Sequence, residues 1–518
     1  MRAPITATMV LVNRGWCNAV TALVLVTVTP NANAVTTKWT VQPELTVTET
    51  YSDNALFTSS SARGDFTTLV TPGIRIEGSG ARFNADLSYT RSALFYSRNP
   101  KEDRVANVLH AFGSLEAVEK FLFVDVNGNI SQNFISPFRA QPAEITSVTP
   151  NRTETRTYGI SPYLIGQAGS AFSYELRNQN IWTNATSEAL ADTQLRQWTG
   201  TIASPKGIVG WAFQYDDSRI SYDNLNSRLD QNSTLYRGRL FFEPEPELRL
   251  SVSAGRENNN YSLQQDRRHY DLYGAGLSWR PGGRTSAEFE WERRFFGPSR
   301  LARLTHRTRL TAWSFAYSRN ASSYQQELLG TPPGNTVALL DAIFAARIAD
   351  PIERRAAVQQ FVRTTRIPVF LVNPLSFYTQ QIFLEERMEA SAAILGKRNF
   401  ATLTVFRSAA TALSDNVNLL PSDAFSLGKR ITQYGLGLDV NHHVTAFTTV
   451  GANAQRTYTR REDPSTETSR NDYLALNLSK NLSPKTIAFG GFSISHFRST
   501  TSDDVAAKSV FAGMSHRF

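Results

Sequence analysis

Stretches in which apolar and polar residues alternate follow one another along most of the chain. In the first of them Trp39, Val41 and Val47 share one face, and the residues between them are mostly threonine, glutamine and glutamate. Successive side chains of a β-strand point to opposite faces, so this period of two predicts strands. The pattern predicts an all-β protein. Further apolar faces are Phe83, Leu87 and Tyr89; Tyr174 and Leu176; Trp211, Phe213 and Tyr215; Leu250 and Val252; and Leu436, Leu438 and Val440.

The connections between these stretches alternate in length. Short turns, such as residues 78–80 and 281–284, alternate with longer polar loops, such as residues 52–64 and 135–152. Bacterial outer-membrane barrels keep short turns on the periplasmic side and long loops outside. We therefore predict that residues 35–518 form a large antiparallel transmembrane β-barrel of about 20–22 strands in the outer membrane.

Both ends of the sequence fit this location. Arg2 and Arg14 precede the apolar run 19–28, and Ala32 and Ala34 supply an A-x-A cleavage site, so residues 1–34 read as a secretory signal peptide. The single cysteine lies inside that segment, which leaves the mature chain without a disulfide. Residues 509–518 alternate up to Phe518 and resemble the terminal strand that outer-membrane barrels present to their assembly machinery. Phe518 is thus predicted as the membrane-insertion signal, with outer-membrane lipid and the barrel-assembly machinery as partners.

Composition excludes a helical membrane protein. Only 41% of the residues are hydrophobic, and nothing after residue 34 approaches the roughly 18 unbroken apolar residues of a membrane helix. A barrel needs no such run, because only every second residue of a strand meets lipid. Arginine supplies 45 of the 54 basic residues. Its planar guanidinium suits carboxylate and phosphate partners, although a GC-rich genome would give the same bias.

The polar faces of the predicted strands carry charged residues that would line the lumen. On one strand three glutamates alternate with Phe289 and Trp291. Paired catalytic carboxylates are the less favoured reading, because side chains on one strand face more simply partner lumenal arginines. The lumen-facing candidates are Arg82, Asp86, Glu175, Arg177, Arg249, Glu288, Glu290, Glu292, Glu385, Arg387, Glu389 and Asp439.

A helical insert interrupts the strand pattern at residues 320–378. Thr336 can cap a helix from Val337 to about Ala349, and Asp350 with Pro351 begins a second helix that runs to about Thr364. Fourteen predicted strands precede this insert and seven follow it, an odd number that two periplasmic termini do not allow. The insert therefore either climbs through the lumen as a plug, or packs on the periplasmic rim with residues 367–371 as the missing strand. The plug or gate candidates are Arg347, Arg354, Arg355 and Arg363, which would face Glu288, Glu290 and Glu292.

Several segments together resemble the outer-membrane barrel family associated with PEP-CTERM/exosortase systems. They are Pro43 to Asn54, Arg294 to Gly297, Thr308 to Tyr317, Leu339 to Ile348 within the insert, and the closing Phe518. The resemblance covers most of the mature chain and implies a β-barrel encoded near exopolysaccharide and exosortase genes. It implies no catalytic residues. Exopolysaccharide and its export proteins are the partners expected from it.

The sequence offers no enzyme motif. The seven histidines have no metal-binding spacing, and His442 with His443 falls in a predicted turn. No nucleophile motif is present, and basic residues interleave with acidic ones instead of forming a nucleic-acid patch. We therefore expect no enzyme activity, metal, cofactor or nucleic-acid partner.

Two functions from different classes remain. The first is a conduit whose lumen passes, or is gated for, an anionic or neutral exopolysaccharide. The second is a plugged, non-conducting barrel that anchors a partner of the export machinery. A general diffusion porin is a weaker third reading, because such porins lack a helical insert.

Overall fold

The structure is a computed structural model that contains 22 β-strands and three α-helices among the residues it describes. These residues are 38–518 apart from 61, 188–189, 206, 224–227, 262–268, 330–335, 366–371, 373–376, 415–418, 421, 465 and 503, so the predicted signal peptide lies outside them. The strands are β1 (Lys38–Ser52), β2 (Asp65–Ser79), β3 (Phe83–Tyr96), β4 (Arg104–Val118), β5 (Leu122–Phe134), β6 (Arg152–Ala168), β7 (Phe172–Ala185), β8 (Asp192–Ala203), β9 (Val209–Asp223), β10 (Arg228–Glu245), β11 (Leu248–Asn259), β12 (His269–Trp279), β13 (Thr285–Arg294), β14 (Gly297–Arg307), β15 (Thr311–Ser322), β16 (Phe383–Leu395), β17 (Asn399–Ala412), β18 (Gly428–His443), β19 (Thr448–Pro464), β20 (Glu467–Ser483), β21 (Thr486–Ser499) and β22 (Val505–Arg517). The helices, all between β15 and β16, are α1 (Tyr324–Leu329), α2 (Thr336–Phe344) and α3 (Pro351–Thr365).

Each strand pairs antiparallel with the next, and the first pairs with the last. The closing seam joins β1 to β22 from Glu44↔Arg517 to Ser52↔Ser509. A closed sheet leaves no strand edge with unpaired backbone groups. The predicted fold class, a large antiparallel barrel of 20–22 strands, is confirmed.

The outer face of the barrel is apolar. Trp39, Val41 and Val47 on β1 all point outward and are exposed, and outward residues of β2 and β22 continue the same rows, as in the pairs Val47↔Val70 and Val47↔Met514. The same arrangement recurs on the other strands, where leucine, valine and aromatic side chains remain exposed. Contiguous apolar surface on this scale is foreign to soluble monomers.

The two ends of the barrel differ in their connections. At one end, the short-turn end, the turns span two to five residues, from 246–247 to 204–208. At the other end, the long-loop end, the connections range from two residues at 295–296 to the 60 residues of 323–382. Every short turn named from the sequence lies at the short-turn end, together with both termini of the sheet.

The strand count before the insert differs from the prediction. Fifteen strands precede the insert, and seven follow it. The missed strand lies in the stretch Arg300 to Tyr317, where the common spacing of the arginines and aromatic residues predicts one strand, either with a bulge or with its outer half above the bilayer. This stretch contains β14 and β15, joined by the turn 308–310, so that Arg303 faces inward whereas Trp313 faces outward. With 22 strands already paired, no strand is missing, and residues 367–371 lie outside the described part of the chain.

The helical hairpin formed by α2 and α3 lies on the inner wall near the short-turn end. Leu340, Ile343 and Val358 are fully buried in a cluster with Ala393 and Phe400, which project inward from the ends of β16 and β17. Both chain connections of the hairpin nevertheless leave from the long-loop end. The insert therefore runs down through the lumen and back. Its helices begin close to the predicted positions, but α2 ends at Phe344, five residues earlier than expected.

Candidate functional site: the barrel lumen

Eleven of the twelve predicted lumen residues lie on inward-facing strand positions. The exception is Arg82, which lies in the exposed turn 80–82 and pairs with Glu119 of the next turn at 3.1 Å. The alternating pattern assigned it to a strand because it has the same spacing as Asp86, but β3 begins only at Phe83. The residues found on inward positions are Asp86, Glu175, Arg177, Arg249, Glu288, Glu290, Glu292, Glu385, Arg387, Glu389 and Asp439.

The three glutamates of β13 pair with arginines of the barrel wall. Glu292 accepts from Arg237 of β10 at 2.8 Å, and Glu290 lies 3.4 Å from Arg239 of the same strand. Glu288 pairs with Arg303 of β14 at 3.3 Å. The predicted pairing of these glutamates with the insert arginines is therefore not found among the described side chains.

Two glycines allow the pairs between β10 and β13 to form across two intervening strands. Gly274 of β12 lies beside Glu292, and a Cβ atom on it would stand 2.3 Å from the carbonyl oxygen of Trp291 and 2.5 Å from Cγ of Glu292. At Gly276 a Cβ atom would stand 2.6 Å from Oγ of Ser251. The wall is thus flat enough here for carboxylates and guanidinium groups to lie along it.

Further guanidinium and carboxylate groups line the wall from β2 to β7. Arg177 bonds Asp125 at 2.8 Å and Glu175 at 3.2 Å, and its guanidinium lies 3.7 Å from the ring centroid of Tyr163. Arg75 similarly joins Glu77 and Asp86. Because each positive group lies between negative ones, the inner wall is charged but locally neutral.

The insert arginines have separate roles. Arg354 of α3 donates to Asp341 of α2 at 2.8 Å and to the carbonyl oxygens of Ile348 and Ala349, so it holds the hairpin together. Arg347 and Arg355 are exposed. The side chain of Arg363 lies outside the described part of the structure.

A second segment, the loop 135–151 between β5 and β6, folds into the lumen. The Arg152 guanidinium donates to the carbonyl oxygens of Pro142 and Glu144, at 2.9 and 3.0 Å. At the far wall, Ser469 Oγ of β20 donates to the carbonyl oxygen of Pro137 at 2.7 Å, and Ser493 of β21 donates to Glu144. The loop therefore spans from β5 and β6 to β20 and β21. Sequence reasoning placed it outside as an ordinary polar loop.

The two inward segments meet a third loop in an apolar cluster. Phe138 of the loop 135–151, Phe377 of the insert and Phe425 of the loop 413–427 are all buried in it. The rings of Phe377 and Phe425 are 5.6 Å apart and almost perpendicular. Residues 135–151, 377–382 and 422–427, here called the cap, thus pack on one another inside the long-loop end.

The cap and the first turn of the insert also reach the wall formed by β7 to β10. Tyr378 accepts a hydrogen bond from the backbone N–H of Ala191 at 2.9 Å. Gln231 donates to the carbonyl oxygen of Gln380 at 2.9 Å, and Tyr222 donates to Gln325 at 3.4 Å. These contacts cross the lumen, because β8 and β9 are far from β15 and β16 in strand order.

Asp423 joins two parts of the cap. Its carboxylate accepts from the backbone N–H groups of Gln380 and Phe425, at 2.7 and 2.8 Å, and from the Thr379 hydroxyl at 3.1 Å. The side chain is buried, and no described cation pairs with it. Burial raises the pKa of Asp423 to about 6, although these hydrogen bonds act in the opposite direction.

We expect the cap to loosen as the pH rises. The folded pKa of Asp423 lies above its ordinary value of 3.8, so its contribution to stability is present below about pH 4 and is lost as the pH rises through about 6. Hydrogen–deuterium exchange of residues 377–382, corrected for intrinsic rates, should therefore be faster at about pH 7.5 than at about pH 5. Asp423→Asn should abolish this difference. Equal pH dependence in both proteins would contradict the assignment.

The predicted insertion signal is exposed at the short-turn end. Phe518 follows β22, its backbone N–H donates to the carbonyl oxygen of Pro43, and its ring contacts that of His516. His442 and His443 end β18, where His442 lies 2.6 Å from Asn399. Within the described ranges no three His, Cys, Asp or Glu residues are grouped to hold a metal ion. No described helix is long and apolar enough to span a membrane.

Comparisons with known proteins give structural likenesses only. No protein-family model matches the sequence, and no curated protein matches it. The siderophore receptor PirA from Pseudomonas aeruginosa is 9% identical, with 92% of this chain and 80% of that chain covered and a TM-score of 0.40. The FrpB iron transporter from Neisseria meningitidis is 9% identical, with 92% and 82% covered and a TM-score of 0.41. An anion-selective porin from Comamonas acidovorans is 8% identical, with 93% and 100% covered and a TM-score of 0.33.

Proposed function

We propose that this protein is a channel of the bacterial outer membrane, that its own insert holds it closed, and that it serves exopolysaccharide export. The observation that carries the proposal is the combination of an apolar outer face with a charged lumen that two chain segments enter and obstruct. A barrel that only anchored other proteins would have no need of a charged lumen obstructed by removable segments.

The dimensions of the outer face support membrane insertion. Trp39 stacks on Phe83 near the short-turn end, and Tyr51 packs on Phe66 near the long-loop end. Tyr51 lies twelve positions after Trp39 on β1. At about 3.3 Å per residue and a strand tilt of roughly 40°, this spacing corresponds to roughly 30 Å along the barrel axis. The apolar band of outer-membrane barrels is about 25 Å tall and is flanked by aromatic girdles. The predicted signal peptide agrees with this location.

The lumen chemistry suits a polar polymer. Guanidinium and carboxylate groups such as Arg239 and Glu290 lie along the wall, and Tyr163 with Arg177 adds a flat aromatic surface. Such groups offer hydrogen bonds to hydroxyl and carboxylate groups without a deep binding pocket. The resemblance to exosortase-associated barrels supplies the exopolysaccharide class, and the export proteins of that system are the proposed partners.

Electrical recording tests the channel. Residues 337–364 are replaced by a Gly/Ser linker of the same length, so that the chain keeps its connection but loses the packed hairpin. In planar bilayers we expect this variant to conduct well above the intact protein, because the linker does not pack on Ala393 and Phe400. If the intact protein already conducts as strongly, the hairpin is not a gate.

The packed cap also favours a second candidate, a permanently plugged structural partner of the export machinery. That candidate predicts no conductance before or after replacement of the hairpin, even when the cap contacts are also removed. It also predicts a stable complex with a defined export protein. Recordings made before and after replacement of the hairpin therefore separate the two candidates, and they need no knowledge of the substrate.

A further inference from the structure

The short-turn end carries its charges in two unequal arcs. Five consecutive turns, from the one after β12 to the one after β20, contain no acidic residue. The described turns on the other side mix signs, with Glu119, Glu243 and Glu247 near Lys120 and Arg249. The five turns without acidic residues are here called the basic arc. Its charged or titratable residues, with those within two residues of the turns, are Arg280, Arg284, His306, Arg307, Arg309, Lys397, Arg398, His442, His443 and Lys485.

The turns of the basic arc are joined into one surface. Arg307 donates from Nε and Nη2 to the carbonyl oxygen of Gly283, at 3.1 and 2.9 Å, which ties the turn 308–310 to the turn 280–284. Backbone bonds continue the surface, from Leu395 N–H to the Leu310 carbonyl and from His443 N–H to the Arg398 carbonyl, both 2.8 Å long. The positive charges therefore follow the rim across the turns 280–284, 308–310 and 396–398, whereas the turn 444–447 adds no charge of its own.

Most of these cations have no internal partner. Among the described residues no carboxylate pairs with Arg280, Arg284, Arg309, Lys397 or Arg398, and all five are exposed. Arginines on the inner wall, such as Arg237 and Arg239, are by contrast paired with carboxylates. Like charges crowded along a rim repel one another. Their attraction to an external anion is the interaction that offsets this repulsion.

A cavity lies between the basic arc and the insert. Its volume is about 540 Å³, and it is lined by Arg280, Arg284 and Ser286 of the wall and by Ala338 and Asp341 of α2. Asp341 is neutralised by Arg354 at 2.8 Å. The arginines of the arc thus border the lumenal hairpin that the proposed gate uses. Headgroups in a surrounding bilayer would meet the outer side of the rim, so this position favours a ligand at the mouth.

We propose that the basic arc is the loading surface for a polyanionic polysaccharide, one whose sugars carry carboxylate groups. This proposal rests on the proposed function and narrows its substrate from any exopolysaccharide to an acidic one that enters from the short-turn end. Guanidinium groups bind carboxylates in a planar, two-point geometry. Three neighbouring turns present Arg280, Arg284, Arg309, Lys397 and Arg398 in succession to a repeating anion, which suits a polymer better than a single small molecule.

Binding in detergent solution tests the loading surface without any need for conduction. The probe is an end-labelled oligogalacturonate, with a neutral dextran of equal length for comparison. The rim variant is R280Q/R284Q/R309Q/K397Q/R398Q, and the matched control, K101Q/R139Q/K429Q/R430Q/K508Q, removes five exposed positive charges at the long-loop end. We expect the rim variant to bind the oligogalacturonate at least about tenfold more weakly and the control to bind as the intact protein does. None of the three proteins should bind dextran, and added salt should weaken the binding of the oligogalacturonate.

Each alternative outcome is distinct. Equal loss in both variants would assign the binding to net charge, and undiminished binding by the rim variant would place it elsewhere; either result overturns the proposal. The arc would be assigned to lipid if the intact protein bound no oligogalacturonate and the rim variant lost binding to vesicles of anionic phospholipid. That result would also overturn the proposal. A chain that conducts but binds no oligogalacturonate refutes the loading surface alone. A chain that binds it but never conducts refutes the channel alone.

Discussion

The double substitution L340D/I343D should turn a closed barrel into a conducting one. Both side chains are fully buried where α2 contacts Ala393 and Phe400. Loss of each apolar side chain costs about 2–5 kcal/mol of packing, and a buried, unpaired carboxylate adds a further penalty. The hairpin should therefore leave the wall while the 22-strand sheet stays intact. Recording from many channels in a planar bilayer should give at least about a tenfold higher total conductance, because losing far more than 1.4 kcal/mol of packing raises the ratio of open to closed channels more than tenfold.

A matched pair of variants separates displacement of the hairpin from the effect of added charge. A338D/A346D places the same two carboxylates on exposed positions of the same segment and should leave conductance at the level of the intact protein. Heat-modifiable migration on gels should show that both barrels are folded. If L340D/I343D folds but conducts no better than A338D/A346D, the hairpin is not the barrier.

Arg294→Ala should destabilise the barrel more than any other single loss of an arginine discussed here. Arg294 donates twice to Glu257, at 2.7 and 3.1 Å, and once to Asn320 at 2.7 Å, so it connects β11, β13 and β15. Glu257 is 1% exposed, and without Arg294 its charge stays buried and unpaired. Breaking a buried pair on one side costs about 3–5 kcal/mol. A lower midpoint of urea unfolding in detergent measures the loss.

Two control variants test the prediction for Arg294→Ala. Arg256→Ala, next to Glu257 on β11, removes an exposed pair with Asp271 of β12, and such pairs contribute about 0–1 kcal/mol. The double variant R294A/E257A should recover part of the lost stability, because it also removes the orphaned charge. Similar midpoints for Arg294→Ala and Arg256→Ala would mean that the Glu257 pair adds nothing to stability.

The barrel itself could be predicted because every strand carries its own signal. Glu288, Glu290 and Glu292 alternate with Phe289 and Trp291, and this order fixes which face meets the wall arginines and which points outward. Alternation failed at two short turns, because it extended β3 back to Arg82 and joined β14 to β15. At residues 308–310 only three residues separate the two strands, and Arg309 keeps the spacing of Arg303 and Trp313, so the period of two shows no gap.

The filling of the lumen was less accessible to sequence reasoning. The start of α3 at Pro351 follows from local residues, but the depth of the hairpin depends on Ala312 and Phe400, which are distant in sequence. The loop 135–151 has the composition of a solvated loop. Among the contacts that hold it inward, Arg104 donates to the carbonyl oxygens of Ile145 and Ser147 at 2.5 and 3.0 Å. Nothing in the local pattern marks that arginine as their partner.

The pairing of β1 with β22 has a consequence for how the molecule is made. Until the final strand pairs, the incomplete sheet has two unpaired edge strands, β1 and β21. Their free amide and carbonyl groups can pair with other chains. Contacts between opposite ends of so long a polypeptide also form slowly. We therefore expect the unclosed polypeptide to need protection from its neighbours until the last strand pairs, and a product that lacks Val505–Arg517 should aggregate or be degraded rather than form a smaller closed barrel.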